Sequence, residues 1–413
     1  MPNKKRDFAM PESGKSSTWP IIISAAAVLM ITMGARQSSG LFVLPLNLET
    51  GLGIVSISFA LAVGQLLWGA VQPFFGAIAD KWGSYRVLVL GAVLLAAGLA
   101  LTPLASSEWS LLLTLGVLSA AGAGAGSFSI LIGATARSIP QERRSFAGGL
   151  INAGGSFGQF VFAPLSQALI GAFGWVSAML ALSAAALVTI PLALPLRGGP
   201  TSIRHSASSL PGGMWQQIVQ ALRNPSYLCL HAGFFTCGFH VAFLVTHLPG
   251  EVALSGHSAS VSAASIGIIG LFNIAGSLFA GALGSRVRMK YILAVMYGSR
   301  AVMIALFLLA PKTTLTFYVF AAALGFTWLA TVPPTAGIVG KLFDTRYLAT
   351  LFGLTLLTHQ VGGFLGAWLG GLAMAHSGNY QWMWYADIAL ASFASIVNLP
   401  IREPEPARAV MGS

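Results

Sequence analysis

The chain has little charge. Only 8% of its 413 residues are Asp, Glu, Lys or Arg, against roughly 25% in soluble domains. A soluble fold of this length would need far more polar surface. Acids are scarcer than bases: 11 Asp and Glu stand against 22 Lys and Arg, a net charge of +11. Cysteine is almost absent. Cys229 and Cys237 share one apolar run, which excludes a disulfide scaffold. No nucleophile triad, phosphate-binding loop or metal-ligand cluster appears, so an enzyme, a cofactor and a metal are not expected. No soluble effector domain is visible either, which leaves a membrane receptor as a remote alternative.

What is present is hydrocarbon, at 55% of residues. A membrane-spanning helix needs about 20 mainly apolar residues. Twelve such runs lie near 19–46, 54–79, 86–105, 109–137, 146–172, 174–196, 225–249, 260–284, 290–310, 313–341, 348–376 and 381–400. The first follows Lys4, Lys5, Arg6 and Lys15 but is too long for a signal-peptide core, and reads as a retained helix.

Basic residues give the topology. Of 22 Lys and Arg, Arg36 and Arg300 lie inside runs and Lys312 lies in one loop. All the others fall on one side if the N-terminus is cytoplasmic: in the tails, in the central loop, and in the loops of Lys81 and Arg86, of Arg137, Arg143 and Arg144, of Arg286, Arg288 and Lys290, and of Lys341 and Arg346. This positive-inside pattern predicts a multi-pass protein of the cell (inner) membrane with both termini inside. It also accounts for the net charge without a nucleic-acid partner.

The predicted organisation is a cytoplasmic tail (1–18), a six-helix bundle (19–196), a cytoplasmic central loop (197–224), a second six-helix bundle (225–400) and a second tail (401–413). The central loop ends in MWQQIVQALRNP, whose Trp215, Ile218, Val219 and Leu222 form one apolar stripe; a short helix on the membrane surface is expected. The halves echo each other. GAIADKWGSYRVL begins at Gly76 and GALGSRVRMKYIL at Gly281, 205 residues later.

Arg36 is the only charge between Ile21 and Leu48, and Arg300 the only one between Tyr291 and Pro311. A guanidinium near the bilayer centre costs at least ~2.5–3.5 kcal/mol. Such a residue points to a water-lined cavity and an anionic partner, and arginine's planar fork suits a carboxylate. The alternative is a structural ion pair. Asp387, alone among the acids well inside a run, reads as a counter-ion for Arg300, as a proton carrier, or as an acid reaching the outer interface.

His240 and His247, seven residues apart, share a helix face. A histidine titrates near physiological pH and suits proton coupling; a neutral histidine bonded to a neighbouring helix is the alternative. His359 and Gln360, Asn273, Asn152 and Gln159, and Gln65 are further polar residues at membrane depth, each either lining a cavity or tying two helices.

The segment from Gly76 through Asp80 and Gly83 to Arg86 resembles the loop signature of the major facilitator superfamily. Gly34–Phe42, Cys237–Phe243 with Thr246–Pro249, and Arg346–Leu356 with His359 and Gln360 look like the bacterial monocarboxylate-transporter-like branch. The resemblance covers nearly all of 19–400. It implies an all-α membrane fold, twelve transmembrane helices in two pseudo-symmetric six-helix bundles, and a solute site between them. It implies that the Asp80 loop latches the inner gate, although the second copy has Ser285 in place of the acid.

The expected function is alternating-access transport of a small organic anion, a monocarboxylate, with proton symport, by a monomer in a lipid bilayer. Arg36 and Arg300 would hold the carboxylate. His240, with Asp387, His359 or His247, would handle the proton. Anion exchange or efflux on the same fold is the nearer alternative.

Overall fold

The computed structural model describes residues 18–136, 141–197, 214–284, 286–343 and 348–403, and these are helical throughout apart from short turns. Helix α1 is Trp19–Gln37, continued by a 3-10 turn, Ser39–Phe42, and by Val43–Thr50. Helix α2 is Ile54–Trp82 and α3 is Ser84–Leu101. Helix α4, Glu108–Thr135, includes a π-helical stretch, Leu112–Ser119, and a break at Gly126 and Ser127. The continuous Gln141–Leu192 bends at Gly174, where φ is +80°, separating α5 (141–173) from α6 (175–192).

After a surface helix, Met214–Leu222, come α7 (Pro225–Leu254), α8 (Ala259–Leu283) and α9 (Met289–Leu309). Helix α10 is split into Thr314–Thr327 and Val332–Phe343. Helices α11 (Leu348–Ser377) and α12 (Gln381–Asn398) complete the chain. Among the described residues nine stretches are long and apolar enough to cross a membrane; one of them, Ala147–Leu192, holds both α5 and α6. With α11 and α12 this makes the twelve expected helices.

Four of the expected runs differ in detail. The first, fourth and tenth are not continuous, and the seventh continues past Pro249 to Leu254. The break in α10 has a covalent cause. Pro333 and Pro334 carry no N–H, so the carbonyls one turn earlier lose their helical donors. Irregular backbone is tolerated at membrane depth only when other protein groups take over those bonds.

Each half is assembled in the same way. In the first, Gly154 and Gly158 of α5 face the backbone of α1, where an added Cβ at Gly154 would lie 2.6 Å from Ala26 O. In the second, Gly362 and Gly366 of α11 face the backbone of α7 at Phe235 and Phe239. Both pairs are four residues apart, which places one glycine per turn along a seam where helices meet backbone to backbone. The serines repeat too. Ser183 of α6 donates to Ala96 O of α3 at 2.8 Å, and Ser395 of α12 donates to Ala294 O of α9 at 2.7 Å.

The halves meet along α2–α11 and α5–α8. Their glycine contacts run from mid-depth to the end away from the termini: Gly69 against Gln360, Gly270 against Ser156, Gly371 against Ser58, and Gly40 against Val245 O. At the terminus-bearing end, Phe128–Ala136 and Val332–Phe343 make no more than isolated contacts with the opposite half among the described residues. The far end is therefore the closed one.

The predicted loop between α2 and α3 turns at Gly83, where φ is +93° and the N–H caps Ala79 O at 2.9 Å. Only glycine adopts that conformation without strain. Gly76 is loosely packed and Arg86 is exposed. The Asp80 side chain and residue 285 lie outside the described parts, so the expected latch is not seen.

Candidate solute site

Helix α1 delivers Arg36 one turn before its 3-10 segment. Its Nη2 donates to Gln65 Oε1 on α2, and its Nη1 reaches Gln37 Oε1 at 3.4 Å. The guanidinium carbon lies 4.2 Å from the centre of the Trp68 ring, a cation–π contact on the same face of α2 as Gln65. A guanidinium has five N–H donors, so three have no hydrogen-bond partner among the described residues. No carboxylate lies within ion-pair distance of Arg36 among the described residues. The group borders a cavity with about 50 Å³ of room for the centres of water-sized groups. Ser39, Gln65 and a set of leucines and alanines from α2, α3 and α4 complete its walls.

Arg300 of α9 is in a different situation. It is 0% exposed. Its Nη2 donates to Thr327 O and, at 2.6 Å, to Trp328 O; its Nε reaches Thr327 Oγ1 at 3.4 Å and its Nη1 reaches Cys237 Sγ at 3.5 Å. Both carbonyls belong to the residues where the first piece of α10 ends. Asn273 of α8 serves the same break, accepting from Leu329 N–H at 3.0 Å, while its Nδ2 donates across the halves to Ser156 Oγ at 3.0 Å. The expected two-arginine clamp is not assembled in this conformation. The cavity at Arg36 is walled by the first half, and Arg300 is committed to backbone.

Of the three readings open for Asp387, a pairing with Arg300 is not the one seen among the described residues. Asp387 Oδ2 lies 2.6 Å from His240 Nδ1, with the two side chains 0% and 1% exposed. Asp387 Oδ1 and His240 Nε2 are buried without hydrogen-bond partners. The Trp328 ring lies 5.8 Å from the imidazole, which places the pair beside the α10 break.

Other residues divide between the two readings. His247 Nε2 bonds Ala367 O at 2.7 Å, a tie between α7 and α11. His359 stacks near Phe234, and its Nδ1 is 3.4 Å from Gln360 Nε2. Gln360 presses on Gly69 of α2, so it lies at the junction of the halves near Gln65 and Trp68. Gln159 Oε1 accepts from Gln37 Nε2 at 3.5 Å, and its own Nε2 is unpartnered. Asn152 is half-buried on α5. Trp68 and Thr327 carry no signal of their own in the sequence; Trp328 stands out there only as an aromatic that could shape a cavity, and the double proline that follows marks the break.

The family model described as Major Facilitator Superfamily matches residues 25–367. Monocarboxylate transporter 13 of Rattus norvegicus is 28% identical over 388 residues, covering 92% of this chain and 89% of its own. The oxalate:formate antiporter of Oxalobacter formigenes is 24% identical over 388 residues, covering 90% and 89%. Among solved structures, a D-xylose-proton symporter superposes with a TM-score of 0.74 at 14% identity, covering 94% of this chain and 98% of that one.

Proposed function

The chain belongs to the major facilitator superfamily as a multi-pass membrane transporter, and from that premise we propose that it carries a small organic anion, a monocarboxylate, together with a proton by alternating access. The observation that carries this reading is Arg36: a membrane-embedded cation with an aromatic face and, among the described residues, three unused donors and no counter-ion. Such a group holds an anion strongly because the surroundings offer no competing charge. The names of the relatives, a monocarboxylate transporter and an oxalate:formate antiporter, support anion transport.

In this scheme Arg36 binds the carboxylate, with Gln65, Gln360 and His359 at the junction of the halves. His240 and Asp387 hold the proton. Arg300 and Asn273 brace α10, whose two pieces move with the gate. The charge pattern supports termini in the cytoplasm of the cell (inner) membrane, and in that orientation the closed far end corresponds to an inward-facing state. The Gly76–Arg86 loop latches the opposite, outward-facing state.

The test is uptake of labelled lactate, pyruvate and oxalate into proteoliposomes, with and without an inward proton gradient. Saturable monocarboxylate uptake that the gradient accelerates is expected. No saturable uptake of any carboxylate would sink the reading. Uptake that depends on internal anion and ignores the gradient would favour the exchanger. An Asp387→Asn carrier with unchanged proton stoichiometry would remove Asp387 from the scheme.

A further inference from the structure

We infer that the cavity beside Arg36 is the tail pocket of the solute site, shaped for an aliphatic monocarboxylate with about three or four carbons beyond the carboxylate. This rests on the transport reading above and adds the class of acid to it.

The pocket joins one charge to a hydrocarbon wall. Arg36 is the only charged residue that lines it. Leu61, Leu95, Leu99 and Leu115 form the sides, and Gly64 and Ala123 leave room between them. The polar atoms at its edge are largely spoken for. Gln65 Oε1 accepts from Arg36, and Ser119 Oγ donates to Thr114 O at 2.9 Å. That last bond spans five residues, inside the π-helical stretch Leu112–Ser119 that places Leu115 and Ser119 at the wall. A π-helical stretch widens a helix locally and recurs at functional sites.

Size follows from volume. A water-sized group needs about 10–15 Å³ of space for its centre, and the cavity offers about 50 Å³. A methylene is of similar size, so the space accepts about three or four carbons. Charge follows from the walls. A second carboxylate carried on the tail would lie against leucine and alanine, with no second cation among the lining residues to replace its water, a large desolvation cost. The pocket therefore selects for a single carboxylate carrying an apolar tail, and against oxalate-like dianions.

The experiment measures kcat/KM for labelled acetate, butyrate and valerate with the full-length carrier in proteoliposomes. Each added methylene is expected to raise kcat/KM about fourfold, the fold-change for transferring one CH₂ out of water, until the pocket is full. Gly64→Ala adds a methyl whose Cβ would meet the Ala120 Cβ at 3.5 Å, an ordinary contact. It is expected to lower the valerate-to-acetate ratio about fourfold or more. Ala123→Gly enlarges the same space and is expected to raise that ratio. Carboxylate uptake that is flat with chain length, or a ratio unchanged in both variants, overturns the tail pocket and leaves the transport reading standing. So does oxalate competing as strongly as butyrate. Absence of all carboxylate uptake overturns the transport reading itself, and the pocket with it.

Discussion

Arg36 and Arg300 stand in matching halves of a repeated fold, and their surroundings are opposite. Arg36 touches two glutamine side chains and a tryptophan face and keeps most of its donors free. Arg300 is sealed from solvent and spends three hydrogen bonds on one broken stretch of helix and a fourth on Cys237 Sγ of α7. Burial of a charge is tolerated when hydrogen bonds replace the lost water. For Arg300 the protein supplies four. In Arg36 it supplies some, which leaves a role for a ligand. An arginine at membrane depth is therefore not one kind of signal: the acceptors around it decide whether it braces the fold or waits for an anion.

The same contrast holds for the fourth helix of each half. Helix α4 breaks at Gly126, whose carbonyl accepts from Thr32 Oγ1 of α1 at 3.1 Å. Helix α10 breaks at Trp328, whose carbonyl is 3.8 Å from Cys237 Sγ of α7. Thr32 and Cys237 are separated by 205 residues, the offset between the two glycine-led loops. The repeat has kept the joint and changed its chemistry. The first half ties the break with one hydroxyl. The second has added Arg300, where the same offset finds Leu95 in the first half, a residue lining the Arg36 cavity. One half gained a brace where the other keeps space.

The strongest way to break this comparison is to exchange the fates of the two arginines. Arg36→Ala is expected to reduce carboxylate kcat/KM by at least about 30-fold, from loss of a charge-assisted contact of about 2–5 kcal/mol. Its thermal unfolding in detergent should stay close to wild type, and Arg36→Lys should recover little because the fork is lost. Arg300→Met should show the reverse emphasis. Two buried carbonyls lose their donor at about 1–3 kcal/mol each, so a marked fall in melting temperature is expected before any specific effect on KM. A stable Arg300→Met carrier with a raised KM would put Arg300 in the solute site after all and dissolve the contrast.

Much of the scaffold was legible in sequence. Hydrophobic runs gave the twelve helices because lipid forces nearly every backbone bond inside a helix. The one-turn spacings of Gly154 with Gly158 and of Gly362 with Gly366 are of the kind that packing seams use. Arg36 was legible as a cation without a counter-ion. The partner of Asp387 was not, since His240 is 147 residues away and nothing local selects it over Arg300. Nor was the role of Arg300, which depends on a break that the pair Pro333–Pro334 signals and that a hydropathy reading passes over. The tail pocket was invisible because its walls are ordinary leucines and alanines; only the space between them carries information.

The smallest expected effect bears on how the two regions respond to gating. Gly40 sits one turn past Arg36, where an added Cβ would fall inside van der Waals distance of Val245 O. Gly40→Ala therefore pushes α1 and α7 apart at the far end, at a cost of about 1–3 kcal/mol to the closed form. That is enough to shift a two-state equilibrium by about one decade or more. Spin labels at Leu48 and Leu254, both exposed, should report a longer far-end distance in this variant. Gly171→Ala, with nothing within 4 Å of its Cβ, serves as the control and should leave the distance unchanged. Amide exchange should rise around Arg36 and stay low at Thr327–Thr331, because opening the far end uncovers the first site and leaves the Arg300 brace inside its own half. Exchange rising equally in both places would mean that the brace belongs to the gate, and that the two arginines respond to the same motion.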